Sequence, residues 1–420
     1  MKNSNIPLFK NKFFVNSRKL NTVNKATLEW DNFIEWLRGF TDSEGCFSLA
    51  PQGPGSLNYR FSYLISVHID DIKVLEYIQQ SLQMGKIFFK GKKGMATFQV
   101  TKQEDIKKII EIFSKAPLSS IKQLNFLAFK KAFELYTNNK SKDLLLKQQM
   151  DNIRYNMNSN RTDYFWPDRK IRISPYWLLG FVEGDGSFSV ILRNRSTIYL
   201  RFIISQSSMD LFLLKEIQKF LNNLAVVKGL IKSGRTYSDP KDFTHLSNEQ
   251  NLQITHSLFI GNIIIPFFDD LTFRSKKWLD YKDWRTIFKL RENGHHYSTE
   301  CWEVIKLIFS QMNNRRLSTY KEKESLNMEV LQSKIEKFLN LPSNYENREG
   351  RIWIKSLNKF YGDTKAVTVQ MLDPNGLVIK SWSTITECAN SLNITRGGVQ
   401  KRLKNNTKFI FENKTCVLKK

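Results

Sequence analysis

Two acidic residues, Glu44 and Asp185, occupy the same place in two nearly identical segments of this 420-residue chain. The segments read WLRGFTDSEGCFSL over residues 36–49 and WLLGFVEGDGSFSV over residues 177–190. Each predicts an apolar helix that ends at an acidic residue and a glycine and then enters a strand. The acids lie about 140 residues apart, so the pattern indicates an internal duplication in which each copy delivers one carboxylate.

The chemistry of such a pair follows from where the two helices end. Small residues recur at i and i+4 in both helices and would let their backbones approach closely, at Gly39 and Ser43 and at Gly180 and Gly184. Helices packed in this way would bring Glu44 and Asp185 together at their C-terminal ends, where the helix dipole disfavours negative charge. Two carboxylates about 5 Å apart repel by roughly 3 kcal/mol at a dielectric near 20. A divalent cation offsets that repulsion, and hard oxygen ligands favour Mg²⁺. The alternative for each acid alone is a solvated helix end.

The composition favours a nucleic-acid partner. The net charge is +25, which suits a polyanion such as nucleic acid or an anionic membrane. The longest apolar run, residues 258–268, contains Asn262 and Pro266 and is too short to span a bilayer. An aromatic content of 13% argues against a disordered basic tail. The four cysteines lack zinc-site spacing, which predicts free thiols and no structural zinc.

The order of predicted elements places the chain in the α+β class, as two αββαββα half-domains and a small C-terminal hairpin and helix module. The predicted boundaries are a basic leader over 1–29, half-domains over 30–150 and 174–317, a linker over 151–173, a connector over 318–365 and the module over 366–420. The leader suits either a mitochondrial transit peptide or a disordered basic segment. The bias toward Asn, Lys, Ile and Phe hints at an organellar gene.

The predicted strands present one face to the helices and one face outward, because successive side chains alternate. In the strand after Asp185, Phe188 and Val190 would pack inward. Polar and basic residues on the other face and in the hairpin turns would meet DNA, with lysines favouring phosphate and arginines able to fork guanine. These candidates are Ser48, Lys90, Lys92, Lys93, Ser187, Ser189, Arg193, Arg195, Arg201, Lys228, Lys232 and Arg235. For any one of them the alternative is solvated surface.

The C-terminal module has the spacing of a helix-turn-helix. Thr384 and Glu387 predict a capping box at the start of the first helix, and Thr395 predicts the cap of the second. Outward-facing residues of the second helix would be available to a DNA groove, namely Arg396, Gln400, Lys401 and Lys404. The alternative is a compact basic domain that makes no DNA contact.

The segments LRGFTDSEG, residues 37–45, and LLGFVEGDG, residues 178–186, resemble the LAGLIDADG motif in two copies. Similarity to the family extends to residues 117–129, 275–284 and 305–316. The chain thus resembles a single-chain, double-motif LAGLIDADG homing endonuclease of the organellar, intron-encoded type. The C-terminal module is similar to modular repeats appended to intron-encoded nucleases.

The resemblance implies two pseudo-symmetric halves whose antiparallel sheets form a saddle over DNA. Glu44 and Asp185 would then bind catalytic Mg²⁺, with the backbone carbonyls of Ser43 and Gly184 as further ligands. Three more residues are implied at the cleavage centre, namely Lys122, Lys277 and Gln206. In the first half the position of Gln206 is taken by apolar Val67, with His68 beside it. The alternatives are a solvated helix face for the lysines, a strand-end hydrogen bond for Gln206 and an ordinary satisfied or exposed histidine for His68.

The implied activity is Mg²⁺-dependent hydrolysis of both strands of a long, asymmetric DNA site, such as an intron insertion site, across one minor groove. It leaves 3′-hydroxyl and 5′-phosphate ends. The implied setting is a monomer in the mitochondrial matrix without a membrane partner. Two alternatives stay open: an RNA maturase that acts on its host group I intron RNA, and a DNA-binding protein without catalysis, such as a repressor.

Overall fold

A computed structural model describes residues 25–90, 94–167, 169–195, 197–230, 243–246, 249–321, 327–362, 368–412 and 414–419 of the chain. The chain divides into two compact units, one ending at Leu341 and the other beginning at Pro342. Within the described residues no helix is long and apolar enough to cross a membrane.

The first unit contains two halves with the same order of elements. The first half comprises α1 Lys25–Glu44, β1 Gly45–Pro51, β2 Tyr59–His68, α2 Ile72–Leu82, β3 Lys86–Lys90, β4 Met95–Val100, α3 Gln103–Lys115, α4 Lys122–Asn138 and α5 Leu144–Tyr155. The second half begins with α6 Pro175–Asp185, β5 Gly186–Asn194, β6 Thr197–Ser207, α7 Leu211–Val227, β7 Phe243–Leu246 and β8 Glu249–Ile254. It continues with α8 Ser257–Phe259, a π-helical turn Ile260–Ile264, α9 Ile265–Asp269, α10 Lys277–Glu292 and α11 Thr299–Ser310, and the unit closes with α12 Met328–Asn340.

Each half is built on a four-stranded antiparallel sheet, with the orders β1-β2-β4-β3 and β5-β6-β8-β7. The α+β class and the paired half-domains predicted from the sequence are confirmed. The registers also correspond, because Gly45 pairs with Ile65 and Gly186 pairs with Ile204. Two residues further along the second strands lie Val67 and Gln206, which the registers therefore make equivalent.

The sheets show the predicted alternation. Phe47 and Phe188 are buried against the helices, whereas Ser48, Ser187 and Ser189 on the other face are half-buried. Large apolar side chains leave water when they face the helices, so the polar face of each sheet is the one left open. The register of each strand therefore decides which side chains a bound polymer could reach.

Helices α1 and α6 pack against each other through their glycines, as the stripes of small residues predict. A Cβ on Gly39 would lie 1.9 Å from the carbonyl oxygen of Trp177, and one on Gly180 would lie 2.1 Å from that of Trp36. No side chain fits in that space. The two glycines therefore set the close approach that brings the C-terminal ends of both helices together.

The sequence predicts a linker over 151–173, but the structure differs. Helix α5 runs past the predicted boundary to Tyr155, and Met157 is buried in the core. Asn158 Nδ2 donates to the carbonyl of Phe47 at 2.9 Å, and Arg161 Nε donates to Asn125 Oδ1 at 2.9 Å. Residues 151–161 thus belong to the first half, because they close its core and tie it to α4.

The second half has the corresponding pair of hydrogen bonds. Asn313 Nδ2 donates to the carbonyl of Phe188 at 3.2 Å, and Arg316 Nε donates to Asp280 Oδ1 at 2.9 Å. Asn158 and Asn313 both adopt positive φ, 54° and 56°, which asparagine tolerates better than most residues. The sequence signal for these hydrogen bonds is a repeated segment, which reads MNSNR over 157–161 and MNNRR over 312–316.

The second unit begins earlier than the module predicted over 366–420. Its described elements are β9 Tyr345–Arg348, β10 Arg351–Ile354, β11 Lys359–Phe360, β12 Val369–Leu372, β13 Val378–Trp382, α13 Ile385–Ser391, α14 Arg396–Asn405, β14 Phe409–Phe411 and β15 Lys414–Lys419. They form sheets in the orders β11-β10-β9 and β13-β12-β15-β14. The predicted connector over 318–365 is divided, because α12 packs into the core of the first unit through Leu331, Ile335 and Phe338.

The two helices of this unit match the predicted spacing. Thr384 Oγ1 accepts the N–H of Glu387 at 3.0 Å, and Thr395 Oγ1 accepts that of Gly398 at 3.1 Å. Val399 is buried in the small hydrophobic core of this unit. Strands β14 and β15 form an antiparallel hairpin.

Candidate active centre at the ends of two helices

Glu44 and Asp185 are the last residues of α1 and α6, and both are half-buried. A Cβ on Gly184 would lie 3.0 Å from Cγ of Glu44, which shows how closely the two helix ends meet. Burial raises the pKa of Glu44, and the nearby charge of Asp185 raises it further, while Lys122 and Lys277 oppose both effects. The structure therefore brings together the two acids that the sequence singles out.

Burial also raises the pKa of Asp185, against the opposing effects of Lys122, Gln206 and Lys277. The raised pKa values mean that both groups hold negative charge at an energetic disadvantage. A positively charged ligand placed between them would remove that disadvantage.

Lys122 and Lys277 are the first residues of α4 and α10. The ammonium of Lys122 donates to the carbonyl of Ser43, and that of Lys277 donates to the carbonyls of Gly184 at 3.4 Å and Gly186 at 2.7 Å. Each lysine thus contacts the helix end of its own half. The two ammonium groups act on the two carboxylates, in agreement with the positions that the resemblance implies.

The strand position beside each acid differs between the halves. Gln206 Nε2 donates to Asp185 Oδ2 at 2.5 Å. Val67, its equivalent in the first half, has no hydrogen-bonding group to offer Glu44. His68 contacts Thr319 Oγ1 at 3.1 Å and accepts the N–H of Asp70 at 3.2 Å, so its ring has partners away from the acids. The centre therefore has two unlike halves.

The donor set fits a hard divalent cation. The carboxylates of Glu44 and Asp185 and the carbonyls of Ser43 and Gly184 are all oxygen donors, the chemistry that Mg²⁺ prefers. The described residues contain no group of three or more His, Cys, Asp or Glu that could hold a metal ion. A cation at this centre would hence complete its coordination with water or with oxygens of a bound polymer.

A second pair of acids, which the sequence reasoning missed, lies two residues before the first pair. Asp42 accepts the N–H groups of Ser119 at 2.9 Å and Ser120 at 2.8 Å. It also accepts the indole N–H of Trp177, in the opposite helix, at 2.8 Å. These bonds connect the end of α1 both to the segment before Lys122 and to the other half.

Glu183 repeats the arrangement in the second half. It accepts the N–H groups of Arg274 and Ser275, each at 2.6 Å, and the indole N–H of Trp36 at 2.5 Å. Burial raises the pKa of Glu183, against these hydrogen bonds. The signal was present in the sequence, because each motif copy has a tryptophan just before it and an acid at its sixth position.

The candidate DNA-binding residues fall into three groups. Arg193 is exposed at the end of β5, Arg195 is half-buried, and Arg201 donates to Ser189 Oγ at 3.0 Å on the open face of the sheet. Lys92, Lys93, Lys232 and Arg235 lie outside the described residues, as does the side chain of Lys90. In the second unit the four candidates on α14 are all exposed, namely Arg396, Gln400, Lys401 and Lys404.

The placement of Lys228 corrects the sequence analysis. The sequence predicts it in a hairpin turn beside the open sheet. Helix α7 instead extends to Val227, Lys228 forms its C-cap, and the ammonium donates to the carbonyl of Asn262 at 3.0 Å. Because α7 continues to Val227, this lysine lies in the helical layer. The sequence analysis also overlooked Arg60, which is exposed on β2.

Comparison with known proteins agrees with this geometry. The family model of the LAGLIDADG endonucleases matches residues 37–133 and 178–288, one region in each half. The chain belongs to the LAGLIDADG endonuclease family. It is of the two-motif form, and each matched region begins at the leucine that opens one motif copy.

Relatives of this LAGLIDADG protein occur in fungi. It is 28% identical to "Uncharacterized mitochondrial protein RF1" of Saccharomyces cerevisiae, over 95% of this chain and 84% of that protein. It is 26% identical to "Probable intron-encoded endonuclease Cox1-I1b" of Schizosaccharomyces pombe, over 62% of this chain and 65% of that protein. The second match spans less than two thirds of the relative's length.

Solved structures of the family have the same fold. The LAGLIDADG homing endonuclease I-GzeII in complex with its DNA target is 25% identical, with a TM-score of 0.55 over 67% of this chain and 99% of that one. The homing endonuclease I-SmaMI bound to cleaved DNA is 24% identical, with a TM-score of 0.58 over 68% and 98%. The similarity thus covers about two thirds of this LAGLIDADG chain.

Proposed function

We propose that this LAGLIDADG protein is a site-specific endonuclease that cuts both strands of a long DNA target with Mg²⁺. The observation that carries the proposal is the meeting of Glu44 and Asp185 at two helix ends, each beside a lysine of its own half. Two sets of one acid and one lysine suit a substrate with two strands. The net charge of +25 suits a polyanion of that kind.

The residues of the centre have different roles in the proposed hydrolysis. Glu44 and Asp185 would hold the cation, with the carbonyls of Ser43 and Gly184 within reach of it. A bound Mg²⁺ lowers the pKa of water and stabilises charge on the leaving oxygen. The protein itself excludes bulk water from the half-buried acids and keeps Asp185 oriented through its hydrogen bond from Gln206.

The reaction is an in-line displacement at phosphorus. A water oxygen forms a bond to phosphorus while the bond from phosphorus to the 3′ oxygen breaks. The water loses one proton to solvent and the 3′ oxygen gains one, which leaves 3′-hydroxyl and 5′-phosphate ends. The ammonium groups of Lys122 and Lys277 would stabilise the negative charge that develops during the displacement, because they already lie beside the two helix ends.

The target follows from the asymmetry of the two halves. Glu44 stands opposite Asp185, and Val67 stands where the second half has Gln206. The sheets also differ, because β5 and β6 carry Arg193 and Arg201 whereas β2 carries Arg60. A palindromic site would require equal halves, so we expect an asymmetric target such as an intron insertion site. The mitochondrial S. cerevisiae relative and the intron-encoded S. pombe relative support an organellar setting.

The test is a search for one discrete cut. Purified protein with Mg²⁺ is incubated with mitochondrial DNA from a strain that lacks the gene, and the new ends are mapped by sequencing. The proposal expects one site, ends with 3′-hydroxyl and 5′-phosphate groups, and no cutting after chelation of the metal until Mg²⁺ is restored. Cutting without site preference, or none, would overturn it. Faster splicing of a host intron RNA without any DNA cut would indicate the maturase alternative.

A further inference from the structure

Two aspartates outside the motif stand at the start of equivalent helices and leave those helices uncapped by their side chains. Asp71 is the N-cap residue of α2, and Asp210 is the N-cap residue of α7. An aspartate at this position usually accepts an N–H of its own helix, which contributes about 1 kcal/mol. Neither side chain makes such a bond here. Both carboxylates instead reach into the opposite half.

The carboxylate of Asp210 binds the segment that precedes Lys122. Its Oδ1 accepts the backbone N–H of Ile121 at 2.9 Å, although Ile121 belongs to the first half and Asp210 to the second. The same oxygen forms an ion pair with Arg169 at 2.8 Å. Asp210 is only 2% exposed. Burial raises its pKa to about 6, which leaves it ionised at neutral pH.

Asp71 makes the reciprocal contact. Its Oδ1 accepts the backbone N–H of Lys276 at 2.6 Å, one residue before Lys277. Here the acid belongs to the first half and the lysine to the second. The neighbouring acid, Asp70, has different partners: it accepts the N–H of Ser318 at 2.7 Å and lies 3.7 Å from the ammonium of Lys276.

Three consecutive N–H groups before each lysine are therefore bound by two acids. Within its own half, Asp42 or Glu183 binds the first two N–H groups. The aspartate of the opposite half, Asp210 or Asp71, binds the third. The groups are those of Ser119, Ser120 and Ile121 in the first half and of Arg274, Ser275 and Lys276 in the second. N–H groups at a helix start have no partner within the helix, and a carboxylate there forms strong, charge-assisted bonds.

We infer that Asp71 and Asp210 are positioning residues that hold Lys277 and Lys122, respectively, each from the opposite half of the protein. The inference rests on the proposed function, because it assigns the lysines to the cleavage centre. Each lysine then depends on both halves for its place. A displacement of about 1 Å at a reacting group can cost about 100-fold in rate, so loss of one aspartate should act strongly on one lysine and weakly on the other.

The first test needs no DNA. Amide hydrogen exchange is compared between the wild type and the Asp210→Ala and Asp71→Ala variants. Asp210→Ala should speed exchange of residues 119–124 about tenfold or more and leave residues 273–279 unchanged, and Asp71→Ala should do the reverse. Asp143→Ala, which removes a helix-capping aspartate whose carboxylate accepts an N–H of its own helix, is the matched control and should change neither segment. Equal changes in both segments, or none, would overturn the inference.

The second test uses the mapped target as a duplex with a different label on each strand. Asp210→Ala should slow the same strand as Lys122→Met, and Asp71→Ala the same strand as Lys277→Met, each by about 10- to 100-fold in the single-turnover rate. The Asp→Asn variants keep an acceptor oxygen and should recover much of the rate.

The outcomes separate the two ideas. A wild type that cuts neither strand overturns the proposed function, and the exchange data still decide the inference. A wild type that cuts normally, with both strands slowed equally in the aspartate variants, overturns the inference alone. If an alanine variant does not fold, the serine variant, which can cap its own helix but lacks the carboxylate that reaches the opposite half, is compared with the wild type in both measurements. A change confined to the opposite lysine segment and its strand supports the inference, and equal changes in both segments, or none, overturn it.

Discussion

Glu44 and Asp185 stand where a carboxylate is least favoured, half-buried at two helix C-terminal ends that meet. Burial raises both pKa values, and Lys122 and Lys277 supply positive charge beside the pair. Such an arrangement has little use as a structural feature, because uncharged residues of similar size would be more stable there. We propose that its value lies in binding a cation. The acids, their lysines and Gln206 form the smallest part of the molecule that can perform the proposed reaction.

Gln206 offers a test at this scale. The change Gln206→Val gives the second half the residue that the first half has at Val67. It removes a hydrogen bond to a charged group, which is worth about 1.5–3 kcal/mol. We expect the single-turnover cleavage rate to fall by about 10-fold or more. The control Val67→Ala trims an apolar side chain and should leave the rate within about threefold, and equal rates for wild type and Gln206→Val would contradict the assigned role.

The buried side chain of His296 should make the protein less stable in acid. Burial, first, and the charge of Arg291, second, lower its pKa from 6.5 to about 4, while a hydrogen bond to the backbone of Leu290 opposes them. The neighbouring His295 also lowers it. The unfolded chain takes up a proton below pH 6.5, but the folded protein does not until about pH 4. The contribution of neutral His296 to the free energy of unfolding is therefore fully present above pH 6.5 and is lost as the pH falls toward 4.

The size of this effect is on the order of 3 kcal/mol for a shift of this magnitude. The variant His296→Phe cannot take up a proton, so its free energy of unfolding should decrease less than that of the wild type between pH 7 and pH 4.5. Urea unfolding at several pH values measures the difference. Parallel curves for the two proteins would show that His296 is not the group responsible.

At the scale of elements, the two motif helices act as one unit. Gly39 and Gly180 each face a backbone carbonyl of the other helix, with room for hydrogen only. Trp36 and Trp177 then donate across the interface to Glu183 and Asp42. The interface thus carries both the packing of the halves and the bonds that hold the segments before the two lysines. A shift of either helix would move every part of the centre.

A methyl group tests this interface. Gly39→Ala or Gly180→Ala places a Cβ about 2 Å from a carbonyl oxygen, which forces the helices apart. Overpacking of this kind costs about 3 kcal/mol, so we expect a clear fall in the free energy of unfolding and in cleavage. Gly53→Ala is the matched control, because its Cβ would meet nothing within 4 Å. Wild-type stability in either interface variant would contradict the packing described.

The sequence alone predicted these elements well where a local pattern was strong. The duplicated motif predicted the helix ends, and alternation predicted the open strand faces at Ser48 and Ser189. Prediction from the sequence failed where the partner of a residue lies in a distant segment. The region 151–161 is polar and reads as a linker, yet Asn158 and Arg161 bind the first half. The partners of Asp71 and Asp210 were not predicted, because nothing in the local sequence shows that they lie in the other half.

At the scale of the whole molecule, two units divide the chain after Leu341. The first contains the acid pair and the lysines. The second presents the exposed face of α14 with Arg396, Lys401 and Lys404. A separate basic unit of this kind suits a role in binding, because additional contacts raise affinity without any change at the catalytic centre. We therefore propose that the second unit lengthens the DNA footprint.

Removal of residues 342–420 tests that role. We expect the shortened protein to retain cleavage of the mapped target, with an affinity weaker by about 10-fold or more and a shorter protected footprint. For the full chain, about ten neutralised phosphates would give a slope of log K against log salt near −9. An unchanged footprint and affinity after removal would refute the role, and a slope shallower than about −3 for the full chain would contradict an extended DNA-binding surface.

The most direct test of the account compares the wild type with Glu44→Gln and Asp185→Asn on the mapped DNA target in Mg²⁺. Both substitutions keep the size of the side chain and remove the charge that would hold the cation. The account predicts that each variant binds the DNA but loses cleavage by about 1,000-fold or more, while the wild type cuts both strands. Cleavage by both variants at the wild-type rate would contradict the claim that these two carboxylates form the catalytic metal site.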